Sequence, residues 1–148
     1  MTSLFLLTVG LISAQTYKSD SISIKNGISK EWTLYESNEQ FDIEYKASNC
    51  NPRIGYDKEM ILLRFTNKTS SKLIVDWHMI MFYNRKCKTC DYFDEYHYSV
   101  SVDANSKIEG NCMIESNYML KMFSKFIDTK YTLGERLTSF ELKNINVH

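Results

Sequence analysis

The chain has 148 residues, a length that predicts a single domain able to bury its own hydrophobic core. Its 18 basic and 18 acidic residues give a formal net charge of zero, which argues against nucleic acid or an anionic membrane as a partner attracted by overall charge. Ten Tyr and eight Phe favour β-strands, whereas only five Gly and one Pro argue against a disordered or collagen-like chain.

The N-terminus has the pattern of an export signal. An apolar run from Leu4 to Ile12 precedes Ser13 and Ala14, and Ala14 is a small residue suited to a cleavage site, although no Lys or Arg precedes the run. The run is shorter than the roughly 20 residues that a membrane span needs. We therefore expect a signal peptide over 1–15, a single domain over 16–148 without a membrane span, and a periplasmic, cell-surface or secreted location. A buried N-terminal strand is the alternative.

Apolar and polar residues alternate with a period of two along most of the remaining chain, which is typical of half-buried strands. The clearest alternation covers 40–47, 58–66 and 72–83. Both faces of the second of these segments carry apolar residues, which predicts a central strand. Weaker strand patterns cover 22–24, 30–36, 95–102 and 107–112.

Two segments near the C-terminus are less regular. Within 118–127 the apolar residues also fit helical spacing, but the neighbouring strands favour a strand here. Within 137–147 the alternation slips by one residue, which predicts a β-bulge near Lys143 or Asn144. Seven or eight strands at spacings of about ten residues predict an all-β fold, a two-sheet antiparallel sandwich of the immunoglobulin-like type.

A polar segment from Asn67 to Ser71 separates the second and third clear strands and predicts a tight turn. Asn67-Lys68-Thr69 also matches the short pattern of an N-glycosylation site.

The four cysteines, Cys50, Cys87, Cys90 and Cys112, are predicted to meet at one end of the sandwich, because each antiparallel reversal switches ends. An even number of cysteines in an exported chain predicts two disulfides. We favour Cys50–Cys112 with Cys87–Cys90, and cross-pairing stays open. One alternative is a zinc site made of the same four thiolates, since the two residues between Cys87 and Cys90 give the spacing that lets both sulfurs face one metal ion. Another is thiol–disulfide exchange at Cys87 and Cys90.

Other polar residues are weaker candidates for a site. Asp76, His78 and His97 share one face of two neighbouring strands and are expected to form a polar stripe rather than an acid–base or metal site. An aromatic and acidic cluster follows the cysteine pair and is a weak candidate for binding a sugar or peptide, with cross-strand packing as the simpler interpretation. Its members are Tyr92, Asp94, Glu95 and Tyr96.

No nucleophile with a base and orienting group, and no glycine-rich phosphate loop, can be recognised in the sequence. We therefore expect a non-enzymatic binding or interaction domain without a catalytic residue or cofactor. A protein or glycan ligand is expected at the cysteine-bearing loops. A metal-binding or thiol-redox protein that uses the four cysteines is the alternative.

Overall fold

The computed structural model of the protein describes residues 15–17, 20–50, 57–113, 117–128 and 134–148. Within these ranges the chain forms eleven strands and two short 3-10 helices. The strands are β1 Gln15–Tyr17, β2 Ile22–Ser23, β3 Thr33–Ser37, β4 Phe41–Cys50, β5 Lys58–Asn67, β6 Leu73–Tyr83, β7 Lys86–Cys87, β8 His97–Val102, β9 Lys107–Glu109, β10 Lys121–Phe126 and β11 Leu137–Val147. The helices are Cys90–Tyr96 and Tyr118–Leu120.

The strands form two antiparallel sheets. In sheet A, β11 pairs with β1 and β2 along one edge and with β6 along the other, and the far edge of β6 pairs with β7 and β8. In sheet B the order is β3, β4, β5, and the far edge of β5 pairs with β9 and then β10. The prediction of a mostly β protein with two antiparallel sheets is therefore confirmed. The strand count is higher than predicted because several strands have only two or three residues.

The two irregular segments also form strands. The segment 118–127 begins with one 3-10 turn and continues as β10. In β11 the register with β6 shifts between Lys143 and Asn146, and Asn144 adopts a left-handed conformation with φ of 53°. This is the bulge that the slip in alternation predicted, and it lets Leu142 and Ile145 both face the core. The predicted signal peptide falls almost entirely on 1–14, outside the described residues.

The sheets pack face to face around an aromatic core. Phe65 of sheet B stacks on Trp77 of sheet A with ring centroids 4.8 Å apart, and both side chains are fully buried. Tyr45 meets Phe140 edge to face at 5.5 Å. Because burial of each such side chain contributes about 1.5–3 kcal/mol, this layer is the main source of stability.

One buried hydroxyl joins the two sheets near the end of β6. The hydroxyl of Tyr83 donates a 2.6 Å hydrogen bond to the carbonyl of Phe123 in β10. Burial, aided by the negative charge of Glu135, raises the pKa of Tyr83 far above its ordinary value, so this donor keeps its proton.

A buried asparagine, Asn67, connects two turns at one end of the sandwich. Asn67 is buried, and its Nδ2 donates to the carbonyls of Ser71, Val102 and Asp103 at 2.8, 3.0 and 3.1 Å. Its Oδ1 accepts from the backbone N–H and the hydroxyl of Thr69. The turn after β5 and the turn after β8 are thus joined by a single side chain. The structural interpretation of the Asn67-Lys68-Thr69 motif agrees with these contacts.

We expect Asn67→Ala to lower the free energy of unfolding by about 1–3 kcal/mol, because the buried carbonyls lose their donor. Asn67→Asp keeps the acceptor for Thr69 but removes the donor and buries a charge. It should therefore lower the free energy of unfolding by at least as much as Asn67→Ala. Urea denaturation of both variants checks this. An alanine variant within the experimental error of the wild type would contradict the role given to Asn67.

Candidate functional site

Both predicted disulfides are present. Cys50 at the end of β4 is bonded to Cys112, and Cys87 in β7 is bonded to Cys90 at the start of the 3-10 helix, with Cα atoms 5.3 and 5.7 Å apart. No cysteine is free. Pairing of all four sulfurs, as two disulfides, is typical of a protein in an oxidising compartment.

The Cys50–Cys112 bond fastens a crossing of the chain over the outer face of sheet B. After β9 the chain leaves the edge of β5 and reaches β4, where the hydroxyl of Ser48 lies 3.7 Å from Cys112 Sγ. Leu62 points outward from β5 yet is only 4% exposed, as expected for a central strand covered on both faces. Gly110 is required at the start of the crossing, because a Cβ there would overlap the backbone carbonyl of Leu120.

Contacts between the loops place both disulfides at the same end of the sandwich. A cavity of about 280 Å³ is lined by Asn49, next to Cys50, and by Arg136, which precedes β11. The backbone N–H of Arg136 donates to Asn84 in the hairpin that leads to Cys87. The topological prediction that the cysteine-bearing loops gather at one pole agrees with this geometry.

A larger groove of about 840 Å³ opens at this pole on the outer face of sheet A. A volume of this size falls within the range of about 300–1,000 Å³ that is common for ligand sites. Its floor is a row across three strands, in which Ser139 of β11 pairs with Ser23 of β2 and with Phe82 of β6. Ser21 and Thr138 add further hydroxyl groups.

Three cationic side chains surround this floor. Lys25 comes from the turn after β2, Arg85 from the hairpin between β6 and β7, and Arg136 from the segment before β11. All three are exposed, and none forms an ion pair with a carboxylate of a described residue. Among the described residues that line the groove, none is acidic.

Hydrogen bonds hold the main chains of the two arginine-bearing segments relative to each other. Asn84 and Arg85 both adopt left-handed conformations, with φ of 49° and 66°, as a two-residue hairpin turn requires. The N–H of Arg85 donates to the hydroxyl of Thr138, and the N–H of Asn84 donates to the carbonyl of Arg136. The Cys87–Cys90 bond stiffens the other side of the same hairpin.

The smaller cavity differs from the groove in its charges. It contains Lys30 and Lys125 but also the carboxylates of Glu59 and Asp128, and Glu59 lies 3.8 Å from Lys125 Nζ. Arg136 lines both sites, so of the three cations of the groove only Lys25 and Arg85 lie away from these carboxylates.

The aromatic and acidic cluster is not a single patch. Tyr92, Asp94 and Glu95 are exposed on the 3-10 helix that packs over β6, whereas Tyr96 is partly buried against the core and meets Tyr98 edge to face at 6.4 Å. The packing interpretation therefore holds for Tyr96. The binding role of the other three residues stays a prediction.

The two histidines of the predicted polar stripe form a ring stack with a phenylalanine. His78 lies parallel to Phe93 at 3.8 Å and to His97 at 4.6 Å. Burial and the nearby His97 lower the pKa of His78, while the charge of Asp94 acts in the opposite direction. Asp76 instead lies 3.4 Å from His148 Nδ1. Within the part of the chain that the structure describes, no group of three or more His, Cys, Asp or Glu side chains could hold a metal ion.

The lowered pKa of His78 predicts a loss of stability in mild acid. Below its ordinary pKa of 6.5 the unfolded chain takes up a proton that the folded protein resists, so the unfolding free energy falls as the pH decreases through and below about 6.5. His78→Gln should reduce this slope without removing it, because other groups also titrate. Urea denaturation at several pH values tests this, and an unchanged or steeper slope in the variant would contradict it.

The sequence did not reveal the basic groove. Its three cations lie far apart in the chain, and only the pairing of β2, β11 and β6 brings them together. The one local signal was the Asn84-Arg85 pair between two strands, which is compatible with a tight hairpin.

Comparisons with protein-family profiles, with curated proteins and with solved structures gave no match. Among the described residues, no helix is both long enough and apolar enough to cross a membrane.

Proposed function

We propose that the protein is an exported, non-enzymatic β-sandwich domain of the immunoglobulin-like type that binds a ligand at its cysteine-bearing pole. The observation that carries the proposal is the groove of about 840 Å³, which combines an aromatic ring, hydroxyl groups and cationic side chains. Ligand sites commonly combine a concave shape with a few polar groups held in fixed positions.

The construction of the pole supports this role. The groove lies on sheet strands, and its arginine-bearing loops are held by hydrogen bonds and by a neighbouring disulfide. Binding groups that are fixed before the ligand arrives lose less conformational entropy on binding. Export is supported by the apolar leader and by the two disulfides.

The proposal is tested by screening the exported protein against immobilised glycans and peptides. Ser139→Trp fills the floor of the groove without changing a charge, and Tyr92→Ala changes the exposed 3-10 helix on the same sheet. We expect a retained ligand to be lost with Ser139→Trp and kept with Tyr92→Ala. If only Tyr92→Ala abolished ligand binding, the site would lie on the 3-10 helix. If the wild type retained no ligand, the protein would not be a binding domain.

Thiol–disulfide exchange is the second candidate. Cys90 is exposed, and its backbone N–H lies 3.1 Å from Cys87 Sγ, where it would favour a thiolate at Cys87. A Cys87–Cys90 reduction potential near the −270 mV that is typical of thioredoxin, together with reduction of a test disulfide, would favour this function. A bond that resists reduction would favour the binding domain.

A further inference from the structure

We propose that the groove binds an anionic saccharide, one that carries sulfate or carboxylate groups along a short oligosaccharide. This inference rests on the proposed binding function and adds the chemical class of the ligand. It is carried by the groove's combination of three cations, a row of hydroxyl groups and one aromatic ring.

The charges that line the groove favour an anionic ligand. Lys25, Arg85 and Arg136 converge on one concavity from three different loops, and no described acidic side chain lines it. The whole chain has no net charge, so this is a local excess of positive charge. Guanidinium groups donate paired hydrogen bonds to planar or tetrahedral anions, which makes two arginines at one site suited to sulfate or carboxylate.

The floor favours a saccharide over a single small ion. Ser21, Ser23 and Ser139 offer hydroxyl groups that can both donate to and accept from sugar hydroxyl groups. Phe82 provides a half-buried aromatic surface against which the apolar face of a sugar ring can pack. A volume of about 840 Å³ is far larger than one sulfate ion needs.

The spread of the cations favours several anionic groups on one chain. Arg85 and Arg136 are tied to each other through Asn84 and Thr138, whereas Lys25 stands in the turn after β2, across the β11 pairing. An oligosaccharide lying along Ser23, Ser139 and Phe82 would meet a cation at each end of this row.

The test is calorimetric titration of the exported full-length domain with a sulfated heparin hexasaccharide. The comparison probes are sodium sulfate, an acidic peptide and an uncharged hexasaccharide of the same length. The uncharged probe is desulfated, N-acetylated and reduced at its carboxyl groups. We expect binding of the sulfated hexasaccharide, weaker binding as sodium chloride is raised, and at least about tenfold weaker binding of each comparison probe.

Arg85→Gln and Arg136→Gln should each weaken binding of the sulfated hexasaccharide about tenfold or more, as expected for loss of a charge-assisted hydrogen bond. Lys72→Gln is the matched control, because it also removes one positive charge but lies beside Asp103 at the opposite end of the sandwich. Lys25→Gln is a further variant of the groove. It changes a residue in an exposed turn, so the fold should stay intact. Melting temperatures establish that each variant is folded.

Several results would overturn the proposal. If Lys72→Gln weakened binding of the sulfated hexasaccharide as much as the arginine variants, the interaction would be non-specific charge attraction. Equal binding of the uncharged hexasaccharide would exclude a requirement for anionic groups and leave glycan binding itself standing. Tighter binding of the acidic peptide, or a groove-dependent ligand that is not a saccharide, would also overturn this inference while the proposed binding function survives.

Discussion

Removal of the Cys50–Cys112 bond is expected to lower the free energy of unfolding by about 4 kcal/mol, because the bond closes a loop with a sequence separation of 62 residues. The chain-entropy argument gives a larger effect for a longer loop, since the unfolded chain loses more conformations when it is cross-linked. The double variant Cys50→Ala with Cys112→Ala avoids leaving a free thiol. Its melting temperature should fall by on the order of 10 °C or more.

The matched control for this prediction is Cys87→Ala with Cys90→Ala. This bond spans a separation of only 3 residues, so the same argument gives a loss of roughly 2 kcal/mol or less. Urea denaturation of the two double variants compares them directly. If removal of the short bond cost more than removal of the long one, the crossing over sheet B would not be the main covalent restraint.

The second large effect is expected at the centre of the core. Trp77→Ala should cost about 3–5 kcal/mol, because Trp77 is fully buried and stacks on Phe65 across the two sheets. The free energy of unfolding from chemical denaturation measures this loss. Phe65→Ala removes the other ring and should cost a similar amount.

A double variant tests whether the two rings act as one contact. If they do, the loss in Trp77→Ala with Phe65→Ala is smaller than the sum of the two single losses. Trp77→Phe keeps an aromatic ring and should cost less than Trp77→Ala. No described residue accepts a hydrogen bond from the indole Nε1, so phenylalanine removes no described partner. A strictly additive double variant would contradict a direct cross-sheet stack.

The positions of the main strands and the common end of the cysteines were accessible from the sequence because both depend on local periodicity. Alternation along 72–83 puts Leu73, Val75, Trp77 and Met79 on one face of the strand, and all four are buried in the structure. The slip in β11 identified the bulge at Asn144. Each strand reverses the chain, so counting strands was enough to bring Cys50 and Cys112 to the same end.

The hairpin that carries the second disulfide was less predictable. The polar segment after β6 was expected to be a loop, but its first residues form a tight turn into β7. The acidic and aromatic residues that follow form a 3-10 helix over the outer face of β6. A short polar segment has no apolar periodicity, and its structure is decided by contacts such as the hydrogen bond from Met81 N to Thr89 Oγ1.

The basic groove was inaccessible for a different reason. Lys25, Arg85 and Arg136 become neighbours only through the pairing of strands that lie at opposite ends of the chain. A tertiary arrangement of this kind leaves no spacing motif in the sequence. Arg85 lies two residues before Cys87, but nothing in the sequence connects it to Lys25 or Arg136.

Two disulfides, Cys50–Cys112 and Cys87–Cys90, fasten loops at the end of the sandwich that carries the groove. Peptide mapping without reduction, combined with intact mass and metal analysis, tests this arrangement on the protein purified after expression of the full sequence. We predict these two cross-linked peptide pairs, an N-terminus near Gln15 or Thr16, and a mass about 4 Da below that of the reduced chain. Free thiols, bound zinc, or a bond between Cys50 and either Cys87 or Cys90 would contradict the account.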